Sequence, residues 1–256
     1  MTAKIYAIAN QKGGVSKSTM ACILTAGLHK AGRRVLLVDL DQQGNATLAL
    51  GALPDPNNSA LRVLLKDRTA RECIKETAQG DIIPTGKEAG ADLELTGEGA
   101  EYRLREALQE IRAAYDYIII DTPPALGILT VNALTAADGL IIPVSADLFS
   151  LSGVEDLAGT IEAVREYSNP ELKIEGILLT RYDGRSILSR DMLTTAQGIA
   201  DWLKTKLFRV PIREAVAIRE AQTRQKSIFE HDRRAKVTKD CRAFIKELTG
   251  VEVPKK

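Results

Sequence analysis

Short apolar runs alternate with amphipathic stretches along most of the chain. Each run is four to seven residues long and is bounded by polar or glycine-rich segments, as expected for strands buried on both faces of a parallel sheet. We predict strands near 4–8, 35–38, 81–84, 117–121, 139–144, 174–179 and 207–210. The alternation predicts an α/β fold, a doubly wound and mostly parallel sheet flanked by helices.

Helical periodicity fills the intervals between these runs. The stretch 20–31 has Ile23, Leu24 and Leu28 on one face, and Gly32 ends it. Further helices are predicted at 60–66, 100–114, 152–167 and 189–204, and a last one has an apolar stripe from Val237 to Leu248. A chain of 256 residues commonly forms one α/β unit, so we expect a single domain over 1–256.

A glycine-rich loop joins the first predicted strand to the first helix. It contains Gly13 and Gly14, followed by Lys17, Ser18 and Thr19. Glycines allow successive backbone N–H groups to point inward, and the helix N-terminus adds partial positive charge, so the loop can cradle phosphates. Lys17 would neutralise the β- and γ-phosphates, and the Ser18 hydroxyl would ligate Mg²⁺.

The loop departs from the ordinary P-loop pattern, G-x-x-x-x-G-K-[ST], because Gln11 and Ser16 replace its two glycines. Its pattern Lys-Gly-Gly-x-x-Lys-Ser resembles the deviant Walker A loop of the ParA/MinD family of P-loop ATPases. The resemblance implies that Lys12 reaches the nucleotide of the partner subunit across an ATP-sandwich dimer. It also implies that ATP is held by Lys12, Gly13, Gly14, Val15, Ser16, Lys17, Ser18 and Thr19.

The second predicted strand ends in Asp39-Leu-Asp-Gln-Gln-Gly-Asn45. In a βαβ unit this end emerges at the same sheet edge as the glycine-rich loop. Asp39 and Asp41 alternate along an extended backbone and are expected to point to opposite sides. The segment resembles the family's switch I, D-x-D-P-Q-G-N, with Gln42 in place of proline. The resemblance implies that Asp41 orients or activates the attacking water and that Asp39 lies nearer the metal.

Another acidic residue, Asp121, ends the strand that contains three consecutive isoleucines. A carboxylate at this position can bind a water ligand of Mg²⁺. Thr122 and the two prolines after it cannot continue a ladder, so they redirect the chain. This stretch resembles the family's Walker B and switch II segment, Asp-Thr/Cys-Pro-Pro. The predicted metal site is therefore formed by Ser18, Asp39 and Asp121.

Two further positions match nucleotide-proximal segments of the family. Arg181 follows the strand that borders the adenine pocket in that family, where it could stack on the base. A surface ion pair between Arg181 and Asp183 is an equally good interpretation. Pro211 lies in a loop that matches the one near the nucleotide, so it is assigned to the ATP-binding residues as well.

Charge is unevenly distributed although the net charge is only +1. Residues 209–256 contain 13 Lys/Arg against 7 Asp/Glu, whereas the rest of the chain contains 22 against 27. A basic C-terminal segment indicates a polyanion-facing surface, or else a solvated helical face. Comparison with the DNA-binding members of the family favours DNA, with Arg213, Arg219, Arg224 and Lys226 as contacts.

The resemblance implies a Mg²⁺-dependent ATPase that dimerises with ATP, binds DNA non-specifically, and is stimulated by a ParB-like activator during partition of a plasmid, chromosome or mobile element. The alternatives are a MinD-like membrane-surface ATPase and a nucleotide-gated DNA-binding regulator with little hydrolysis. Gly250 and Pro254 interrupt any terminal membrane helix, so we expect no membrane binding. Three scattered cysteines and the lack of a signal peptide predict a cytoplasmic, nucleoid-associated protein.

Overall fold

The computed structural model describes residues 2–87, 95–145, 152–184 and 187–255, without the side chains of 152–153 and 187–190. Six strands form one parallel sheet in the order β3-β2-β4-β1-β5-β6. Their bounds are β1 Lys4–Ile8, β2 Val35–Asp39, β3 Asp81–Ile83, β4 Tyr117–Asp121, β5 Gly139–Ser145 and β6 Lys173–Thr180. The predicted doubly wound parallel sheet is confirmed.

Helices cover both faces of the sheet and enclose two hydrophobic cores. One face is covered by α3 Ala60–Leu64, α4 Ala70–Cys73, α5 Arg103–Gln109, α6 Ile128–Ala136, α7 Ser152–Tyr167 and α8 Ile187–Trp202. The other face is covered by α1 Lys17–Lys30, α2 Asn45–Ala49, α9 Val216–Thr223, α10 Ile228–His231 and α11 Lys236–Thr249. None of the helices among the described residues combines the length and the apolar composition that crossing a bilayer requires.

Close packing of α1 against the C-terminal helices depends on Gly27. A Cβ at this position would lie 2.3 Å from a side-chain atom of Ile245 and 2.9 Å from one of Phe229. The stripe predicted for the last helix is confirmed, because Val237, Cys241 and Phe244 are all buried in this core. The C-terminal helices are thereby fixed to the helix that begins at the glycine-rich loop.

Two predicted elements differ from the structure. The stretch 100–114 is one short α-helix between two 3₁₀ turns, 100–102 and 112–114, although Leu104, Leu108 and Ile111 are buried as predicted. The strand predicted at 207–210 is wrong. Ile177 pairs with Leu207 and Tyr182 with Arg213 through isolated bridges only. The segment between these bridges has no regular ladder, and Pro211 within it has no N–H to donate.

Parallel register brings the predicted polar strand ends together. β4 lies between β1 and β2, and Asp121 is the register partner of both Ile8 and Asp39. The glycine-rich loop, the Asp39–Asp41 segment and Asp121 therefore meet at the carboxyl edge of three adjacent strands. This is the position at which open α/β sheets bind their ligands.

Candidate nucleotide and metal site

The loop from β1 to α1 has a backbone that only a few residue types adopt without strain. Gly14 has a φ of 77°, and Ser16, the residue before the helix, has a φ of 71°. Glycine tolerates this left-handed conformation, whereas a serine bears a steric cost. The Ser16 side chain forms no capping hydrogen bond with the helix that follows. The fold itself therefore offers no evident compensation for the conformation of Ser16.

Three polar side chains hold this loop in place, and none of them was predicted as a site residue. The Asn10 amide donates to the Pro143 carbonyl at 2.8 Å, and its oxygen accepts from the N–H of Lys12 at 3.0 Å. The Thr122 hydroxyl donates to the carbonyl of Ile8, and the Thr180 hydroxyl to that of Val15. Their only sequence signal was a polar residue at the end of an apolar strand.

Lys17 lies beneath the loop and is largely buried. Its ammonium Nζ donates to the backbone carbonyl of Lys12 at 3.1 Å, which closes the loop around it. Burial lowers the pKa of Lys17, and the charges of Asp121 and Asp41 oppose that shift. A desolvated cation at the N-terminus of α1 is suited to bind the phosphates of a nucleotide.

Asp121 is fully buried, and neither of its carboxylate oxygens accepts a hydrogen bond from the described residues. Burial raises its pKa well above the ordinary value, and the neighbouring charge of Asp39 raises it further. The nearby Ser18 hydroxyl and the Lys17 charge lower it by smaller amounts. An unpartnered buried carboxylate is costly unless a cation or a donor satisfies it. Its surroundings thus fit a bound cation.

Asp39 has a different environment, although it is fully buried as well. Its Oδ2 accepts from the Thr47 N–H at 2.8 Å and from the Thr47 hydroxyl at 2.6 Å, and its Oδ1 accepts from the Asp41 N–H at 3.1 Å. Burial raises its pKa, and the bonds from Thr47 offset part of that shift. The structure thus engages Asp39 in holding the segment 40–47 to the sheet, which weakens its assignment as a metal ligand.

Asp41 lies beyond the strand end. Its Oδ1 accepts from the N–H of Gln43 at 3.0 Å, and the N–H of Gly44 bonds to its carbonyl at 2.9 Å. Asp41 lines a large cavity beside the glycine-rich loop, whereas Asp39 borders a small one with Gln42 and Thr85. The predicted divergence of the two carboxylates is therefore observed.

The cavity that Asp41 lines has a volume of about 710 Å³ and opens beside the glycine-rich loop. Predicted residues that line it are Gly13, Gly14, Ser16, Lys17, Ser18, Thr19, Asp41, Arg181, Arg213 and Arg219. Residues not anticipated include Asn45, Leu48, Pro124, Ile218 and Gln222. Pro211 is not among the lining residues, whereas its neighbour Ile212 is.

Arg181 lies at the mouth of this cavity in the left-handed conformation, with a φ of 52°. Its guanidinium forms an ion pair with Glu214 at 3.6 Å, so its observed acidic partner differs from the predicted Asp183. Arg219 lies 4.0 Å from the same carboxylate. Two arginines and one glutamate therefore border the cavity entrance.

The three arginines and one lysine predicted to contact DNA have different surroundings. Arg213 is bound through two hydrogen bonds to Asp240, a buried carboxylate, and lines the cavity with Arg219. The Arg213 guanidinium is thus engaged in holding the fold together, which makes it less suited to contact DNA than the other three residues. Arg224 and Lys226 are exposed beyond the end of α9 and form no ion pair with the described residues.

No group of three or more His, Cys, Asp or Glu side chains in the described residues is arranged to hold a metal. That observation is compatible with Mg²⁺, which usually retains several waters and binds one or two protein oxygens plus substrate phosphates. Ser18 and Asp121 supply such oxygens next to Lys17. The cavity, the loop and the buried carboxylate together form a site suited to a metal-bound nucleotide.

Comparisons with known proteins agree with this geometry. A family model described as an AAA domain matches residues 3–174. The chain is 39% identical over 257 residues to the chromosome partitioning protein ParA of Myxococcus xanthus, covering 98% of this chain and 90% of that protein. It is 41% identical over 252 residues to the sporulation initiation inhibitor protein Soj of Bacillus subtilis, covering 96% and 98%.

Solved structures are similar over the same extent. The crystal structure of cobyrinic acid a,c-diamide synthase from Mycobacterium smegmatis with a bound ATP analog and magnesium superposes with a TM-score of 0.79. Sequence identity to that protein is 35%, and the match covers 98% of each chain.

Proposed function

The chain belongs to the ParA/Soj family of partition ATPases, and from that premise we propose that it is an ATP-dependent switch that dimerises around nucleotide and binds DNA. As a member of this family, the protein is an ATPase. The finer claims are a sandwiched homodimer, slow hydrolysis, non-specific DNA binding in the ATP state and stimulation by a ParB-like activator. Together they describe a cycle suited to moving a plasmid, chromosome or mobile element.

The observation that carries the proposal is the unpartnered Asp121 beside Ser18 and Lys17 at the N-terminus of α1. This combination fits Mg²⁺-ATP, because the cation would neutralise the Asp121 carboxylate and the Lys17 ammonium would bind the phosphates. Bound Mg²⁺ would neutralise the negative charge that develops on the phosphates during hydrolysis. Ser18 and Asp121 are the residues that would hold it, directly or through water.

Hydrolysis requires an oriented water and stabilisation of the developing negative charge. Asp41 lines the cavity with one oxygen fixed by the N–H of Gln43, so it can accept a hydrogen bond from the attacking water. Lys17 and the backbone N–H groups of Gly13 and Gly14 would stabilise the phosphates. Lys12 would act across the dimer, as an arginine finger does in related reactions.

Dimer closure would join two copies of the basic C-terminal segment. DNA phosphates need only lysines and arginines on one face, and affinity increases when contacts from two subunits act together. Arg224 and Lys226 are exposed and suited to this role. Arg219 lies at the cavity entrance, where it is better suited to sensing nucleotide than to contacting DNA.

The membrane alternative is less well supported. A membrane-surface helix needs an exposed apolar face, whereas the apolar face of α11 is buried against α1 and α10. The cationic residues around this helix instead favour an anionic polymer.

A salt titration of binding to random-sequence duplex DNA would test the proposal, with Mg²⁺-ATP, Mg²⁺-ADP and no nucleotide. We expect tight, salt-sensitive binding with ATP only. Equal weak binding in all three states would contradict the DNA-binding switch. Turnover measured with and without DNA in the same samples would separate the switch from a regulator that scarcely hydrolyses ATP.

A further inference from the structure

Gln79 is a buried polar residue outside the nucleotide site, in the turn that precedes β3. Its amide nitrogen Nε2 donates one hydrogen bond to the Ala49 carbonyl at 3.0 Å and another to the Gln225 carbonyl at 3.2 Å. Ala49 is the last residue of α2, and Gln225 lies in the turn after α9. One side chain therefore connects the ends of two elements that are 176 positions apart in numbering.

The position of Gln79 is fixed by its own turn. The Thr77 hydroxyl donates to the carbonyl of Gly80 at 2.7 Å and accepts from the N–H of Gln79 at 3.1 Å. Gly80 has a φ of 121°, which glycine alone adopts without strain. The amide is therefore presented from a rigid support, which is what a residue needs in order to position two other segments.

Both elements that Gln79 joins line the nucleotide cavity. From α2 the cavity is lined by Asn45 and Leu48, and from α9 by Ile218 and Gln222. The Gln222 amide also donates to the hydroxyl of Thr19 in the first turn of α1 at 3.2 Å. A nucleotide in the cavity would thus contact both elements on one side, while Gln79 holds their ends on the other.

The turn after α9 is strained and cationic. Gln225 has a φ of 53°, a left-handed conformation that is uncommon for residues other than glycine. Arg224 and Lys226 flank it and are exposed. The N–H groups of Arg224, Gln225 and Lys226 all donate to carbonyls of α9, at 2.9–3.1 Å, so the turn is fastened to the end of that helix. The bond from Gln79 to the Gln225 carbonyl joins this unit to α2, so a shift of α9 and a shift of the turn are linked.

Small unfilled spaces remain where these elements meet. A cavity of about 20 Å³ lies between α1, α2 and α9, lined by Ala49, Gln79, Gln222 and Lys226 among others. Fully packed interfaces resist small displacements, whereas a gap of this size leaves room for the helix ends to shift.

We propose that Gln79 is a positioning residue that couples the nucleotide-contacting helices α2 and α9 to the cationic turn 224–226, and so makes the polyanion affinity of that turn depend on nucleotide. The inference rests on the proposed function only in naming DNA as the polyanion. Displacement of α2 or α9 by nucleotide shifts the carbonyl that Gln79 binds, and the shared amide transmits the shift to the turn.

Two readouts test this coupling on the full chain. The first is hydrogen–deuterium exchange of residues 216–226 with and without Mg²⁺-ATP, which does not involve DNA. The second is the ratio of the dissociation constants for random-sequence duplex DNA in ADP and in ATP. The variants are Gln79→Met, which keeps a similar shape without donors, and Gln79→Asn, whose shorter amide cannot span both carbonyls. Gln197→Met is the control, because that amide is exposed on the remote helix α8 and, within the described part of the chain, bonds to Asp201 of the same helix.

In the wild type and in Gln197→Met we expect ATP to slow exchange at 224–226 and to raise DNA affinity by about fivefold or more. Both Gln79 variants should lose at least most of these effects, while affinity for a fluorescent ATP analogue stays within about twofold. If Gln79 had only a structural role, its substitution would lower thermal stability and leave the nucleotide dependence of exchange and DNA affinity unchanged.

The outcomes separate this inference from the proposed function. A wild-type exchange response that persists in Gln79→Met overturns the role of Gln79, as does a wild type without any response at 216–226. If the response exists and Gln79→Met abolishes it, but wild-type DNA affinity ignores nucleotide, the coupling stands and the proposed DNA switch fails. If neither Gln79 variant folds, the residue is structural and the inference is wrong.

Discussion

Asp121 is the residue at which stability and function conflict most directly. It is fully buried without a hydrogen-bond partner, and its pKa is raised by burial and by Asp39. An acid with a raised folded-state pKa destabilises the fold above that pKa, and the penalty disappears as pH falls toward the unfolded value. Asp121→Asn should therefore stabilise the nucleotide-free protein near pH 7.5 by about 1–3 kcal/mol and abolish Mg²⁺-dependent hydrolysis.

Urea unfolding of the nucleotide-free chain between pH 5 and 8 measures this effect. The advantage of the asparagine variant should shrink as pH decreases. Asp116→Asn is the matched control, because hydrogen bonds from Arg34 lower the pKa of Asp116 and its loss should slightly destabilise the protein. An Asp121→Asn variant less stable than wild type at pH 7.5 would refute the account of an unsatisfied charge.

Substitution of Asp41 is expected to affect ATP hydrolysis without affecting ATP binding. The place of Asp41 in the cavity and its fixed Oδ1 suit it to orient water, and its hydrogen bonds with the described residues stay within its own segment. We expect Asp41→Ala to lower turnover by about 10²-fold or more while ATP still drives dimerisation and DNA binding. Analytical ultracentrifugation with ATP measures the dimer. If the variant remains monomeric with ATP, the assignment of Asp41 to water is wrong.

Substitution of Ser16 measures how much a side chain in the glycine-rich loop lowers the free energy of unfolding. Its φ of 71° and its missing capping bond indicate strain without compensation inside the fold. Ser16→Gly should raise the free energy of unfolding by about 0.5–1 kcal/mol and retain ATP binding, because the backbone N–H is unchanged. Ser16→Ala keeps the strain and should resemble wild type in denaturant titrations. Equal stability of the glycine and alanine variants would contradict the strain.

Sequence patterns predicted the residues of the nucleotide site but missed the residues that hold the loop in place. Lys17, Ser18, Asp41 and Asp121 lie in motifs whose chemistry requires them, and the structure gathers them at one sheet edge. Asn10, Thr122 and Thr180 act through hydrogen bonds to backbone groups of other segments. Such partners depend on which strands are neighbours, and the sequence alone does not display this. The pairing of Arg213 with Asp240 was missed for the same reason.

At the scale of elements, Thr47 ties the segment from β2 through α2 to the neighbouring strand end. The Thr47 hydroxyl donates to Asp39 and accepts from the N–H of Thr85, so it joins the segment 40–47 to the residues that follow β3. Thr47→Val keeps the shape and leaves both partners short of a bond, at a cost of about 1–3 kcal/mol. We also expect slower hydrolysis, because Asp41 is carried by the loosened segment.

Denaturant unfolding and steady-state turnover measure the two effects of Thr47→Val. Thr47→Ser retains the hydroxyl and should recover most of both. A valine variant with normal turnover despite lower stability would show that the clamp serves folding only.

Elements were predicted well where one periodicity dominated. The four central strands, β2, β4, β1 and β5, are mostly apolar because helices cover both faces, and this pattern has few alternatives. The stretch 207–210 is apolar for a different reason, since Phe208 packs edge-on against Phe244 while only isolated bridges join the segment to β6. Burial without a ladder has the same sequence pattern as a short strand, so that prediction failed.

At the scale of the whole molecule, the uneven charge distribution predicts how strongly DNA binding by the proposed dimer depends on salt. The N-terminal part of α11 and the preceding turn contain exposed Arg233, Arg234, Lys236 and Lys239. Each cation that contacts a phosphate adds about 0.9 to the slope of the logarithm of affinity against the logarithm of salt concentration. A dimer that places both copies on one duplex should therefore have about twice the slope of a monomer.

Lys12→Ala tests the predicted doubling of the salt slope, because it removes the proposed dimer contact and leaves the basic segment intact. With Mg²⁺-ATP the wild type should have about double the salt slope of Lys12→Ala, and with ADP the two slopes should coincide. The double variant Arg224→Ala/Lys226→Ala serves as the reciprocal control, since it should reduce the slope while ATP still drives dimerisation. Equal slopes for wild type and Lys12→Ala in ATP would mean that one subunit makes all the DNA contacts, and closure around nucleotide would then regulate something other than the number of phosphates bound.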